Sequence, residues 1–156
     1  MPRKYSGFSF IEVLVVIAVL GVLLAVLLVA INPSRQFAQD NNTARKADVN
    51  LILDSIRKYA DDNKGKFPKN MPAKGATAEI VEGTGGADIC SDISPLYLGQ
   101  LPVDPSLNLV IVGDCAVKTY NTGYQVSVDA SGKVVTVSAP AAESVGGVTP
   151  IISVSR

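Results

Sequence analysis

Few side chains in this 156-residue chain combine in a pattern that supports chemistry. There is no histidine, which removes the commonest general base and the commonest neutral metal ligand. Serines abound, but without histidine they form no ordinary triad, and no Ser–Lys pair stands out. The aspartates at 88, 92, 104, 114 and 129 lack the D-x-D-x-D-G spacing of a calcium loop and read as solvated or turn-forming. "GTGGAD", beginning at Gly83, lacks the Lys-Ser/Thr ending of a phosphate loop and follows no clear strand, so it reads as a flexible loop. An enzyme is not expected.

Two features remain. Cys90 and Cys115 have neither C-x-x-C spacing nor a histidine partner for zinc. If their region lies outside the cytoplasm, a disulfide closes a loop of about 25 residues for roughly 3 to 4 kcal/mol in the chain-entropy model. Two buried free thiols are the alternative. The other feature is Glu12, at the mouth of a run from Val13 to Ile31 in which nothing is polar. That run has about 19 residues, enough to cross a hydrocarbon layer of roughly 30 Å. A carboxylate inside a membrane helix costs about 2.5 to 3.5 kcal/mol at the bilayer centre and less near the interface, so Glu12 reads as functional.

The elements that position these residues begin with the apolar run. A secretory signal would carry a shorter apolar stretch of about 7 to 15 residues and a small-residue cleavage site. Arg3 and Lys4 fit its basic start, but "LLVAINPSRQF" has no A-x-A pattern. A secreted product released by signal peptidase would start near Asn32. A plain anchor explains the length and, through Arg3 and Lys4, an N-terminus inside and the remainder outside. It leaves Glu12 without a role.

A processed helix accounts for both. "RKYSGFSFIEVLVVIAVLG" resembles the N-terminal signature of type IV pilins and pseudopilins: a short basic leader, Gly7, an aromatic residue, then a Glu four positions on at the head of an apolar helix. The resemblance implies that a prepilin peptidase cuts after Gly7 and methylates Phe8. It further implies that Glu12 of one subunit neutralises the N-terminal amine of its neighbour as helices enter a filament. Both charges are expensive to desolvate alone, so pairing is the condition for keeping them and fixes register. The partners so implied are the chain itself or other pilin-like subunits, the peptidase, an inner-membrane assembly platform and membrane lipid. The implied location is the inner membrane before assembly and an extracytoplasmic filament after it. A membrane-anchored extracytoplasmic binding domain that never polymerises is the alternative, and predicts an uncut N-terminus.

Gly21 and Pro33 are the expected helix breaks. Glycine costs a helix about 1 kcal/mol and proline inside it removes a hydrogen bond. "INPSRQF" also reads as a restart, with Asn32 as N-cap and Pro33 at the first helical position. In filaments of the resembled family the stretch between such a Gly and Pro can lose helical order.

From Ser34 to about Asn63, Val49, Ile52, Leu53, Ile56 and Ala60 recur at helical spacing, while Arg45, Lys46, Asp48, Arg57 and Lys58 fall mostly elsewhere. "NKGKFP" ends the helix. Residues 69–88 read as an irregular connector, and "SPLYLGQLPVDP" as a helical turn followed by a tight turn at Pro102 to Pro105. "LNLVIVGD" and "PIISVSR" are possible strands. "GYQVSVD" and "KVVTVSA" flank "ASG" as a hairpin, with Tyr124, Val126 and Val128 on one face.

The expected fold is therefore α+β, pilin-like: a long N-terminal helix, membrane-spanning in its first half, packed on a small antiparallel sheet. Its parts are a leader at 1–7, a transmembrane or filament-core helix at 8–31, an amphipathic helix at 32–64 and a β-rich extracytoplasmic domain at 65–156. "YLGQLPVDP" and "NTGYQVSVD" resemble the globular part of major pseudopilins, without the Trp-Gly that often follows Asp-Pro there. Some pseudopilins hold calcium in the loop near their final strands; with the motif incomplete here, no cofactor is expected, and calcium is the alternative. The formal charge is balanced and no Lys/Arg stripe with interleaved aromatics occurs, so no nucleic-acid partner is expected.

Overall fold

The computed structural model describes residues 7–107, 115 and 120–156, and residues 29–31 by their backbone alone. The chain divides into two units, Met1–Gln36 and Phe37–Arg156. In the first, helix α1 spans Phe10–Ile31. Ser9, in extended conformation, opens it: the Ser9 carbonyl accepts from the Glu12 N–H at 3.0 Å and the Val13 N–H at 3.2 Å. Phe10–Leu28 is long and apolar enough to cross a membrane, and none of it is buried within the chain. An apolar helix with no shielded face has to be covered by lipid or by other chains.

Helix α1 runs through Gly21 without interruption. Losing about 1 kcal/mol of propensity at one glycine does not outweigh the hydrogen-bonded turns on either side. Between the two helices Asn32 adopts the left-handed conformation at φ 43°, and Pro33 begins α2. The Asn32 side-chain oxygen accepts from Ser34 Oγ at 2.8 Å and the Arg35 N–H at 3.4 Å, while Pro33 has no N–H to satisfy.

Helix α2 spans Pro33–Asp62. Within the second unit it buries one stripe, from Ala38 through Val49, Ile52, Leu53 and Ile56 to Ala60. The helix stops where Lys64 and Gly65 turn left-handed and the Gly65 N–H reaches back to the Ala60 carbonyl at 2.7 Å. Its apolar stripe and one face of the sheet make a single core that includes Ile80, Ile93, Leu101, Tyr124, Val126 and Val137.

The sheet is an antiparallel meander in the order β1-β2-β3-β4: β1 at Thr77–Val81, β2 at Asn121–Val128, β3 at Val135–Ser138 and β4 at Ser153–Ser155. Strands β2 and β3 form the expected hairpin, Val126 facing Val137 and Val128 facing Val135. Along β2 Tyr124, Val126 and Val128 are buried and alternate with half-buried residues.

Three expectations need correction or completion. Strand β1 lies inside the supposed connector at 69–88. Only Ile80 among its residues is fully covered and its register slips between Glu79 and Val81, so the sequence carries no two-residue alternation to announce it. The helical turn, α3 at Cys90–Ile93, precedes "SPLYLG", and the tight turn closes from the Leu107 N–H to the Asp104 carbonyl at 3.0 Å rather than between the two prolines. The strand expected at "LNLVIVGD" falls, apart from Leu107, outside the described residues.

Candidate functional site

Two places hold charge against apolar surroundings. At the start of α1, Gly7, Phe8 and Glu12 are all exposed, Phe8 by 77%. Phe8 and Glu12 are four residues apart, about one helical turn. Glu12 has a local partner that sequence reading missed: its Oε2 accepts the Ser9 N–H at 3.4 Å, the reach-back of a capping box. The S-x-x-E spacing of Ser9 and Glu12 was the available signal. This carboxylate thus caps its own helix while its second oxygen stays free of described hydrogen bonds.

The second place is inside the domain. Arg45 is fully buried, although it belongs to a set of charged residues that fall mostly off the apolar stripe. Its Nε donates to Asp104 Oδ2 at 2.7 Å and its Nη2 to Asp104 Oδ1 at 2.9 Å, a two-pronged pair. Nη2 also donates to Glu143 Oε1 at 3.0 Å, and Nη1 to Asn42 Oδ1 at 2.9 Å. Asn42 completes the circuit with the backbone of Glu143, donating to its carbonyl at 2.7 Å and accepting its N–H at 2.9 Å. Asn41 adds a bond to Glu143 Oε1 at 2.8 Å. Among the described residues no buried side-chain nitrogen or oxygen lacks a partner, the condition for keeping such a cluster in a core.

Asp104 is likewise buried and not solvated, although it does form the expected turn, accepting from Ser106 Oγ at 2.6 Å and the Ser106 N–H at 2.9 Å. Burial alone would push its pKa up, but the bonds from Arg45 and Ser106 outweigh that and hold it below the usual carboxylate range. Gly123, at φ 74°, lets β2 pass close by; a Cβ there would run into the Asp104 and Leu107 side chains. One turn along α2, Asp48 accepts the Tyr124 hydroxyl at 2.6 Å. Burial raises the pKa of Asp48, and burial with this bond raises that of Tyr124.

A signal for the cluster existed. Ala38, Asn42, Arg45, Val49 and Ile52 step by three and four, so Asn42 and Arg45 occupy core positions of the stripe. Of the other aspartates, Asp129 accepts from Ser131, Lys133 and Val134 in the hairpin turn, Asp88 accepts from Tyr120, and Asp92, in α3, accepts the Lys69 N–H at 2.9 Å. Asp114 lies outside the described residues.

Cys90 and Cys115 are joined as a disulfide, with Cα atoms 5.6 Å apart. Calcium does not fit the loop between β3 and β4. Its one carboxylate, Glu143, already receives Arg45 and Asn41. Among the described residues no three His, Cys, Asp or Glu side chains gather where a metal ion could be held.

Comparison with known proteins agrees with this arrangement. Residues 2–28 match the family model described as the prokaryotic N-terminal methylation motif. Over 103 residues, 66% of this chain and 69% of the relative, it is 33% identical to the type II secretion system core protein G of Pseudomonas aeruginosa. No solved structure matches significantly. The motif at the head of α1 and the relative's similarity across most of its length have one reading: the chain belongs to the type IV pilin and pseudopilin family, whose members are structural subunits.

Proposed function

We propose that this chain is a structural subunit of a type IV pilus or type II secretion-like filament, cut by prepilin peptidase after Gly7 and N-methylated at Phe8. Residues 1–7 are the leader, and 8–31 hold the subunit in the inner membrane, N-terminus inside, until an assembly platform extracts it. Residues 32–64 then continue into the extracytoplasmic domain at 65–156. The observation that carries this reading is α1 itself: an apolar helix, uncovered along Phe10–Leu28, headed by Glu12 and lying within the matched methylation motif. Neighbouring copies or other pilin-like subunits supply the cover lipid gives beforehand. Glu12 pairs with the methylated amine of an adjacent Phe8, and Gly21 to Pro33 is where α1 gives up helical order on assembly. The similarity to a secretion-system subunit supports the secretion-like filament.

The test is the intact mass of the protein from membranes and from the sheared surface fraction of its native host. A chain beginning at methylated Phe8 in both is the expected result. A processed chain confined to membranes would favour a minor or pseudopilin role. A chain beginning at Met1 in a host with active prepilin peptidase would leave a non-polymerising anchored domain.

A further inference from the structure

We propose that Arg45 is a built-in cation that closes the loop between β3 and β4 onto α2, so that this loop is positioned without a metal ion. It joins three segments far apart in sequence: α2 through Asn42, the turn at Asp104, and the loop through Glu143. Its surroundings are those of a hard cation. Asp104 Oδ1 and Glu143 Oε1 lie 2.9 and 3.0 Å from the same nitrogen, Nη2, and Asn42 Oδ1 lies 2.9 Å from Nη1. Asp104 Oδ2 adds a fourth oxygen, 2.7 Å from Nε. Carboxylate and amide oxygens are also what calcium takes, at about 2.3 to 2.6 Å. Here they are spread along the planar guanidinium, which spends each of them on an N–H. The Glu143 side chain is 34% exposed, so the cluster opens to solvent on one side and an ion could enter if the guanidinium were gone.

Arg45 is thus a positioning residue for the surface built by this loop, and that surface keeps its shape whatever the calcium concentration outside the cell. The inference concerns the domain alone. Melting reads it, so it stands or falls separately from filament assembly.

The experiment is thermal unfolding of the full chain in detergent micelles, wild type and variants, with EDTA, with calcium at about 10 mM, and with sodium chloride at matched ionic strength. For wild type the midpoint should hold within about 1 °C in all three, whereas a resident site loaded a hundredfold above its Kd would shift it on the order of 10 °C. Arg45→Ala should melt lower by roughly 10 °C or more, since it leaves two carboxylates facing each other without a counter-charge. Calcium, but not sodium, should recover part of that loss. Arg45→Lys keeps the charge without the fork and should fall between the two. If Arg45→Ala does not fold, Arg45→Lys and the wild-type chelator series decide. A wild-type midpoint that falls in EDTA or rises with calcium would overturn the proposal. So would an Arg45→Ala midpoint near wild type, or a loss in that variant that calcium leaves untouched.

Discussion

Glu12 and Asp104 are both carboxylates set against apolar surroundings, and they differ in where the counter-charge lies. Asp104 finds Arg45 within its own domain, 2.7 Å away, with Ser106 supplying further donors. Glu12 heads a helix of which Phe10–Leu28 is nowhere buried, and its carboxylate's one described bond is a long one from the Ser9 N–H. A buried pair costs its desolvation during folding, and the fold that forms around it makes good the loss. A charge at the head of an uncovered apolar helix has no such compensation inside the chain. The contrast separates a polar group that specifies a fold from one available to specify an assembly.

The same contrast explains what the sequence made legible. Glu12 stood out because nothing polar follows it until Asn32. The β2–β3 hairpin was legible because Tyr124, Val126 and Val128 alternate cleanly. Arg45 was legible only as a position on the α2 stripe, and its partner was not, since nothing local to Asp104 announces a contact 59 residues away in sequence. Strand β1 was hidden for a related reason: Thr77–Val81 owes its conformation to pairing with β2 more than to its own pattern. Local order was readable, whereas order created by distant partners was not.

The comparison can be broken from the Asp104 side first. Asp104→Ala leaves Arg45 buried with only Glu143 and Asn42, and should cost about 3 to 5 kcal/mol, read as a lowered urea midpoint of the full chain in micelles. A loss under about 1 kcal/mol would mean that the pair does not hold the domain. Opening the Cys90–Cys115 bridge by Cys→Ser at both positions should cost about 3 to 4 kcal/mol for a loop of 25 residues. That bridge ties α3 to a segment beyond the Asp104 turn, so its loss and that of Asp104 test separate fastenings.

A smaller effect should appear in alkali. Burial first, then the bonds to Asp88 and Asp48, raise the pKa values of Tyr120 and Tyr124 above that of an ordinary phenol. A raised folded-state value means that the folded chain holds its protons more tightly than the unfolded chain. Stability from these two groups is therefore complete below about pH 10 and is lost as pH rises beyond it. Tyrosinate absorbance should show these two phenols ionising together with unfolding, and Tyr124→Phe should weaken the alkaline slope. Ionisation of both before any loss of secondary structure would contradict the burial.

Glu12 should have the smallest effect on the fold and the largest on assembly. Glu12→Ala removes the reach-back bond to Ser9, worth about 0.5 to 1 kcal/mol to the first turn of α1 at most, and should leave the urea midpoint of the domain unchanged. Filament yield should nonetheless collapse. Glu12→Gln decides between cap and charge, because an amide oxygen still accepts the Ser9 N–H while the negative charge is gone. If the carboxylate serves a neighbour's N-terminal amine, Gln should fail as Ala does, with processing intact by mass. If Gln assembles like wild type, Glu12 is a helix cap, and the register of the filament is set by packing along α1, where no charge is needed.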